Sequence, residues 1–383
     1  MKNVVIITDG HFPEGDAGAV RLLYVAKAMT AVGCKVTVLC RGRLGNGIID
    51  EIEYISFRER KANFLAKVIA YLHFSRNVAK FLKKQNELSC VYIYNAPLAV
   101  FHWCKKKYAK TETKLVYDCV EWYSPEQFKH GKYSYSYWIK NHTVTHVVDQ
   151  SFSVIAISRF LERHFSGKGI RTLRVPILCD TGEYNGRKKV EDTLNLFYAG
   201  SPQKKDLIGN VLDAMLLLDL DERKKIKITF VGTTKEHLVA KCGISLETLD
   251  RCSDVLNLYG RKPRGEVLDM MQNADFTLLF RDPDLRYAKA GFPSKIVESL
   301  ANATPVFCNC SSDLELYLKD NENAIIAKDH SPEAIVEAIR RAAKLSVENK
   351  LCMSKEALES AKKYFDYQLY QNALSEFLCN YDI

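Results

Sequence analysis

A glycine, a rigid Phe-Pro corner and a serine lead into a lysine and a glutamate three residues apart: Gly291, Phe292, Pro293, Ser294, Lys295, Ile296, Val297, Glu298, Ser299, Leu300, Ala301, Asn302. The run after Pro293 reads as a helix, so its unpaired first amides and the Lys295 cation point the same way. That arrangement suits a phosphate. Glu298 sits one turn further in, close enough to accept hydrogen bonds from the hydroxyls of whatever carries the phosphate. The pair Cys308 and Cys310 has one residue between its sulfurs and no second pair at zinc spacing, so no metal site is expected.

The elements that must hold this helix follow from the alternation of the chain. Residues 3–9 are a continuous apolar run ending in Thr8-Asp9-Gly10, the pattern of a buried parallel strand entering a turn. A glycine-rich loop from Gly10 to Ala19, an amphipathic helix from about Ala19 to Ala31, a stop at Gly33 and a strand from Lys35 to Cys40 complete a βαβ unit. The loop is too long for the dinucleotide fingerprint and lacks its G-x-G-x-x-G spacing, which argues against NAD. Strands follow at 52–57, 90–94, 114–118 and 153–157. Between them lie helices at 62–84, from Pro97 onward, and from an aromatic loop (Trp122, Tyr123, Tyr133, Tyr135, Tyr137, Trp138) to about Gln150.

Alternation restarts with strands at 194–198, 227–231, 255–259, 276–280, 305–308 and 324–327, and closes with helical patterns at 331–347 and 350–364. The expected architecture is α/β, two Rossmann-like doubly wound domains facing a cleft. Residues 1–175 form the first domain, 176–192 a linker and 193–364 the second. Within 365–383 the apolar spacing suggests a last helix that could cross back to the first domain. Open α/β sheets bind ligands outside the carboxyl ends of their strands, which places the chemistry in that cleft.

At 383 residues, 47% hydrophobic and 26% charged, the chain has an ordinary globular composition and length for two cores. The run Val4-Val5-Ile6-Ile7 is too short to span a bilayer and has no cleavage site behind it, so a cytoplasmic protein is expected. Twelve cysteines scattered through strand-like runs, as at Cys40, Cys90 and Cys119, read as buried free thiols. Residues 1–180 hold 27 Lys+Arg against 15 Asp+Glu, a net of +12; residues 181–383 hold 28 against 31, a net of −3. The basic half includes Lys67, Arg76, Lys80, Lys83 and Lys84 on a helical stretch whose other face carries Phe64, Leu65, Val68, Ile69, Leu72 and Phe81. This is either an interfacial helix on anionic lipid or a packed helix with a solvated basic face.

In this frame the chain resembles the GT-B fold glycosyltransferases, and within them family 4, the large retaining family of bacterial surface-polysaccharide and lipopolysaccharide enzymes. The resemblance runs through the loop and helix from Gly15 to Ala31, Tyr117-Asp118-Cys119-Val120-Glu121-Trp122, Tyr198-Ala199-Gly200-Ser201 and Phe230-Val231-Gly232. It continues through Leu258-Tyr259-Gly260, residues 291–302 and Thr304-Pro305-Val306. It implies that the second domain binds a sugar nucleotide and the basic first domain the acceptor. Gly291, Phe292, Pro293, Ser294 and Lys295 would lie near the phosphates and Glu298 on the ribose. The family's basic pair after the first strand of the donor domain falls on Gly200-Ser201-Pro202-Gln203-Lys204-Lys205, so Ser201 replaces an arginine and Lys205, or Lys204, is the surviving cation. Arg281, Arg286 or Lys295 could supply the missing charge. The base would sit against Gly232 and the Tyr259-Gly260-Arg261 turn, and Gly18 would bring backbone amides to the phosphate or donor sugar. Arg21, on the same helix, would reach an anionic group or face solvent.

Two positions depart from the family pattern. Its glutamate seven residues before the ribose glutamate falls on Ala290, and its histidine near the end of the 114–118 strand falls on Val120, which leaves Asp118 and Glu121 as carboxylates, one of them expected to face the cleft. With no Ser/His/Asp or Cys/His constellation, the resemblance implies retaining transfer in which the acceptor hydroxyl attacks the face the nucleotide leaves. The expected partners are a nucleotide sugar, a glycan or lipid-linked acceptor and an anionic membrane surface on the cytoplasmic side, with no metal, no other cofactor and no nucleic acid. The competing reading is a catalytically silent GT-B sugar-nucleotide sensor or assembly partner. A nucleotide-sugar epimerase of the same shape ranks below both, because its carboxylate and histidine constellation is not recognisable.

Overall fold

The computed structural model describes residues 2–42, 45–58, 64–184, 186 and 192–379. They fall into two compact units, one comprising residues up to Leu178 with Ala290–Phe292 and the segment from Tyr367, the other Cys179–Lys289 and Pro293–Asp366.

The first unit is built on eight strands, β1 (Lys2–Thr8), β2 (Cys34–Gly42), β3 (Gly47–Ile49), β4 (Ile52–Arg58), β5 (Cys90–Tyr94), β6 (Lys114–Cys119), β7 (Ser153–Ala156) and β8 (Thr172–Arg174). Their order is β3-β4-β2-β1-β5-β6-β7-β8, parallel except for the β3–β4 hairpin. That hairpin turns through Asp50 and Glu51, both at positive φ (48° and 64°), without the Asn-Gly or Asp-Gly signature of such turns. Helix Ala17–Ala31 covers one sheet face through Leu22, Val25 and Met29, all fully buried. The C-terminal helix Gln371–Cys379 packs into the same core through Leu374 and Leu378, and Tyr367 stacks on Tyr24 at 5.9 Å.

Two helix expectations change. In Phe64–Lys83 the buried row is Phe74, Val78 and Leu82, while Ile69 and Leu72 stand exposed at 46% and 50%. Helical spacing puts these two in one row with Arg76, Lys80 and Lys83, all exposed, rather than opposite them. The side chains of Phe64, Leu65, Lys67 and Val68 lie outside the described residues. The helix expected to run to Gln150 is Tyr135–His142, followed by a π-helical turn, Thr143–Val147.

The second unit has six parallel strands, β9 (Leu194–Ala199), β10 (Ile226–Val231), β11 (Leu256–Tyr259), β12 (Phe276–Leu279), β13 (Val306–Asn309) and β14 (Ala324–Ala327), ordered β11-β10-β9-β12-β13-β14. Their near-continuous apolar sequences are those of strands covered on both faces. Helix Pro332–Ala343 packs Ile335, Ile339 and Ala342 into the same core as Val211, Leu212 and Met215. Lys350 and Asp275 form a buried ion pair at 3.0 Å, and the same Asp275 oxygen accepts from the Asn195 amide at 2.8 Å, tying helix Val347–Tyr364 to the start of β9.

Candidate functional site

In the second unit the strand order reverses between β9 and β12, where open sheets leave a crevice at their carboxyl ends. Gly200 follows β9 at φ 123° and Gly232 follows β10 at φ 88°, conformations that L side chains rarely adopt. A Cβ on Gly232 would lie 3.2–3.3 Å from the Gly200 backbone, and one on Gly200 would lie 3.2 Å from Lys295 Cε. Both positions therefore need glycine, and the backbone lies open to Lys295.

Helix Ser294–Ala301 brings Lys295 to this point. Its rear is fixed by the fully buried Ser299 hydroxyl, 2.6 Å from Thr277 Oγ1 on β12 and 2.7 Å from the Thr304 carbonyl. Its N-cap is Pro293, which offers no side-chain acceptor to the first-turn amides. Gly291, Phe292 and Pro293 are buried and Ser294 half-buried, so these residues shape the entry to the helix. Lys295 Nζ lies 5.1 Å from the centre of the buried Tyr198 ring.

Two more cations converge. Arg281 follows β12, its backbone held on both sides by the Asn309 side chain (3.0 and 2.8 Å), with its Nη2 3.9 Å from buried Asp206. Lys205 belongs to the short 3₁₀ turn Lys204–Asp206 and is half-buried, whereas Lys204 is exposed. Burial pulls the Lys295 pKa below its ordinary value; Asp206 opposes that, and Arg281 and Lys205 add to it. Three cations around one buried carboxylate leave a surplus of positive charge that a diphosphate would neutralise.

The rest of this edge is neutral or outward. Ser201 is exposed and donates to the Gly232 carbonyl (3.2 Å), so it contributes no charge at this edge. The Gly232 amide donates to the Tyr259 and Gly260 carbonyls (3.0 and 3.1 Å), and Arg261 is exposed. Glu298, half-exposed, lies 3.2 Å from Arg264 Nη1, a neighbour the sequence reading did not single out. Asp206 was not among the expected site residues either; a carboxylate beside two lysines carries no local sign of burial, yet its side chain is 3% exposed.

The first unit has its own reversal, between β1 and β5. There the Asp9 amide donates to the Asn95 carbonyl at 3.2 Å, Asp9 pairs with Arg41, and Lys140 Nζ reaches Asn95 Oδ1 at 3.3 Å. Glu121 is half-buried beside this group and accepts from Gln127 Nε2 at 3.1 Å. Lys140 lies 4.4 Å from the centre of the Tyr123 ring, and burial lowers its pKa, opposed by Glu121 and Asp9. None of Asp9, Arg41, Asn95 and Lys140 was among the expected site residues; the turn after β1 was the one signal that pointed here.

Two expectations in this unit are corrected. Asp118 does not present a carboxylate to a ligand: both its oxygens are held at 2.8 Å by Arg21, the second also accepts from Tyr92 OH at 2.6 Å, and its side chain is fully buried. Gly18 does not offer a free amide, because its N–H donates to Asp16 Oδ1 at 2.9 Å; it is glycine because a Cβ would lie 2.6 Å from Tyr94 OH. Val120 is half-buried, and Ala290 is buried with its carbonyl accepting from Ser158 Oγ at 2.7 Å.

Residues 184–360 match the family model described as glycosyl transferases group 1. Among solved structures the chain is similar to a sucrose-phosphate synthase from Thermosynechococcus elongatus, at TM-score 0.75 and 12% identity over 98% of both chains. It is also similar to Anabaena HepE in complex with UDP and glucose, at TM-score 0.72 and 14% identity over 99% of both chains. A third is WaaG, a glycosyltransferase involved in lipopolysaccharide biosynthesis, at TM-score 0.69 and 15% identity over 98% of this chain and 99% of that one. A comparison with curated protein sequences found no match.

Proposed function

We propose that this chain, a GT-B protein whose residues 184–360 belong to the group 1 glycosyltransferases, is a retaining hexosyltransferase that moves a sugar from a nucleoside diphosphate to a glycan or lipid-linked saccharide in surface polysaccharide assembly. The observation that carries this is the convergence of Lys295, Arg281 and Lys205 around buried Asp206, with Lys295 against the backbone at Gly200 and beside a helix N-terminus with no side-chain cap. In the reaction the bond from the anomeric carbon to the diphosphate oxygen breaks while the acceptor oxygen bonds to that carbon from the same face. The departing phosphate oxygen takes the acceptor's proton. The three cations stabilise the charge growing on the diphosphate, so the step needs neither a protein nucleophile nor a metal. Glu121, the half-buried remaining carboxylate of the 117–122 segment, orients the acceptor.

A thermal-shift screen across nucleoside diphosphates and their sugars tests this, since a ligand that binds only the folded state raises the melting temperature with the logarithm of its concentration. Uridine nucleotides come first, because HepE was solved with UDP. A shift for one base is the expected result; no shift for any base overturns the reading. Glu298→Ala should then weaken nucleotide affinity about 10- to 100-fold, the worth of hydrogen bonds to a charged acceptor, with melting of the free protein unchanged because the side chain is half-exposed. Unchanged affinity with a large fall in melting temperature would make Glu298 structural.

A second reading, a silent sugar-nucleotide sensor, is favoured by Ala290, by Val120 and by the burial of Asp118. Tight nucleotide binding with no release of nucleoside diphosphate on any acceptor would select it. For a lipid-linked acceptor the protein would work at the cytoplasmic membrane face. Among the described residues no helix is long and apolar enough to cross a membrane. Docking would instead use surface charge, and reversing Lys80, Lys83 and Lys84 to glutamate should weaken binding to anionic vesicles by about fivefold or more per residue. Equal binding of the variant and the parent would remove this helix from the membrane contact.

A further inference from the structure

Residues 127–148 contain three lysines, three histidines and no aspartate or glutamate. Within this stretch Tyr133, Tyr135 and Trp138 are 83%, 68% and 53% exposed. Trp138 lies parallel to His142 (4.9 Å, 6°), and His142 stacks on His146 (5.1 Å, 19°), one turn of helix apart each time. Lys132 Nζ lies 5.2 Å from the centre of the Tyr133 ring, and Lys129 and His130 are exposed beside it. Two further positions of the same helix are committed inward: Lys140 to Tyr123 and Asn95, and Asn141 to the Trp122 indole at 2.9 Å. Helix Tyr135–His142 is therefore anchored through these two residues while Tyr135 and Trp138, with Tyr133 just before it, stand in water, and exposed rings grouped in this way mark an interaction surface.

We propose that this face docks the protein on an anionic lipid bilayer, with Tyr133, Tyr135 and Trp138 at the headgroup level and Lys129 and Lys132 over the lipid phosphates. The proposal rests on the reading of a lipid-linked acceptor and names a surface for it separate from the lysine row of helix Phe64–Lys83. Chemistry selects a bilayer over a saccharide. Sugar hydroxyls both donate and accept, and a saccharide is held by polar side chains of both kinds beside the stacking ring; on helix Tyr135–His142 the one side-chain amide oxygen, that of Asn141, already accepts from Trp122. Tyr and Trp rings with a polar tip settle at membrane interfaces, and the exposed Lys129 and Lys132, which outnumber the exposed Glu126 next to this stretch, are complementary to anionic headgroups.

The test is co-sedimentation of the full chain with phosphatidylcholine vesicles, with and without phosphatidylglycerol, comparing the parent with Tyr133→Ser/Tyr135→Ser/Trp138→Ser. The triple variant should bind anionic vesicles at least about tenfold more weakly, with melting temperature and nucleotide-induced stabilisation unchanged. If the triple variant melts lower, Tyr133→Ser alone serves, since that ring is the most exposed of the three. In parallel, phosphatidylglycerol carrying brominated chains should quench tryptophan emission in the parent but not in Trp138→Phe. Equal vesicle binding by parent and variants, or quenching that survives Trp138→Phe, overturns the proposal. So does a parent that ignores vesicles and captures free oligosaccharide. Nucleotide binding is read separately throughout, so loss of the donor reading and loss of the membrane reading give different results.

Discussion

Arg21→Ala should destabilise the protein by about 3–5 kcal/mol, the cost of removing one partner of a buried ion pair. Arg21 is 1% exposed and spends its guanidinium on four acceptors: both Asp118 oxygens at 2.8 Å, the Pro176 carbonyl at 2.8 Å and the Val175 carbonyl at 3.3 Å. Burial alone would push its proton off; the adjoining Asp118 charge more than offsets that and raises the pKa above the ordinary arginine value. Burial and the same carboxylate raise the Tyr92 pKa, which keeps its hydroxyl a donor. Without Arg21 the carboxylate would keep one neutral donor in a dry core, and two carbonyls would lose theirs. Denaturant unfolding checks the size of the loss. The Arg21→Ala/Asp118→Ala double variant should be less destabilised than the sum of the single variants, because the second change removes the stranded charge. A loss below about 1 kcal/mol for Arg21→Ala would show that water or a rearranged side chain replaces it.

This cluster also marks where sequence reading stopped. Period and punctuation located most of the sheet strands, because buried parallel strands are continuous apolar runs bounded by turns, and β5 was placed to the residue. They missed β3 and β8, three residues each, too short to show a period. Residue type could not separate Asp118 from Glu121, although they are three apart: one faces a buried arginine from another element and the other a glutamine and the strand edge. Which side of the chain each carboxylate takes depends on Arg21, 97 residues away, and no local pattern carries that information.

The edge at the ends of β9 and β10 was more legible because its geometry is backbone geometry. Gly200 and Gly232 stand at positive φ at the ends of adjacent strands, and glycine is the residue that such positions require. Lys205 over Lys204 was a choice between neighbours, which the structure separates by burial. Asp206 and Arg264 were invisible, since a carboxylate among lysines and an arginine at the start of a helix are what ordinary surfaces carry.

Lys295→Met should lower turnover about 10²- to 10³-fold, the usual cost of removing one preorganised group that meets charge developing in a transition state. Methionine keeps an unbranched stem against Gly200 and the Tyr198 ring, so the folded protein should melt within a few degrees of the parent. Lys204→Met, on the exposed neighbour, should change turnover by less than about twofold and serves as the control for lost surface charge. The pH profile separates a chemical role from a packing one. Burial holds the Lys295 pKa below its ordinary 10.5, so the charged form is lost as pH rises through that lowered value. Activity of the parent should therefore fall on the alkaline side before an ordinary lysine would titrate. Lys295→Arg, which stays charged throughout, should retain part of the activity and lose that alkaline limb. If Lys295→Met keeps parental turnover, or if Lys295→Arg leaves the alkaline limb in place, the charge on the diphosphate is met by Arg281 and Lys205 alone and Lys295 is a packing residue.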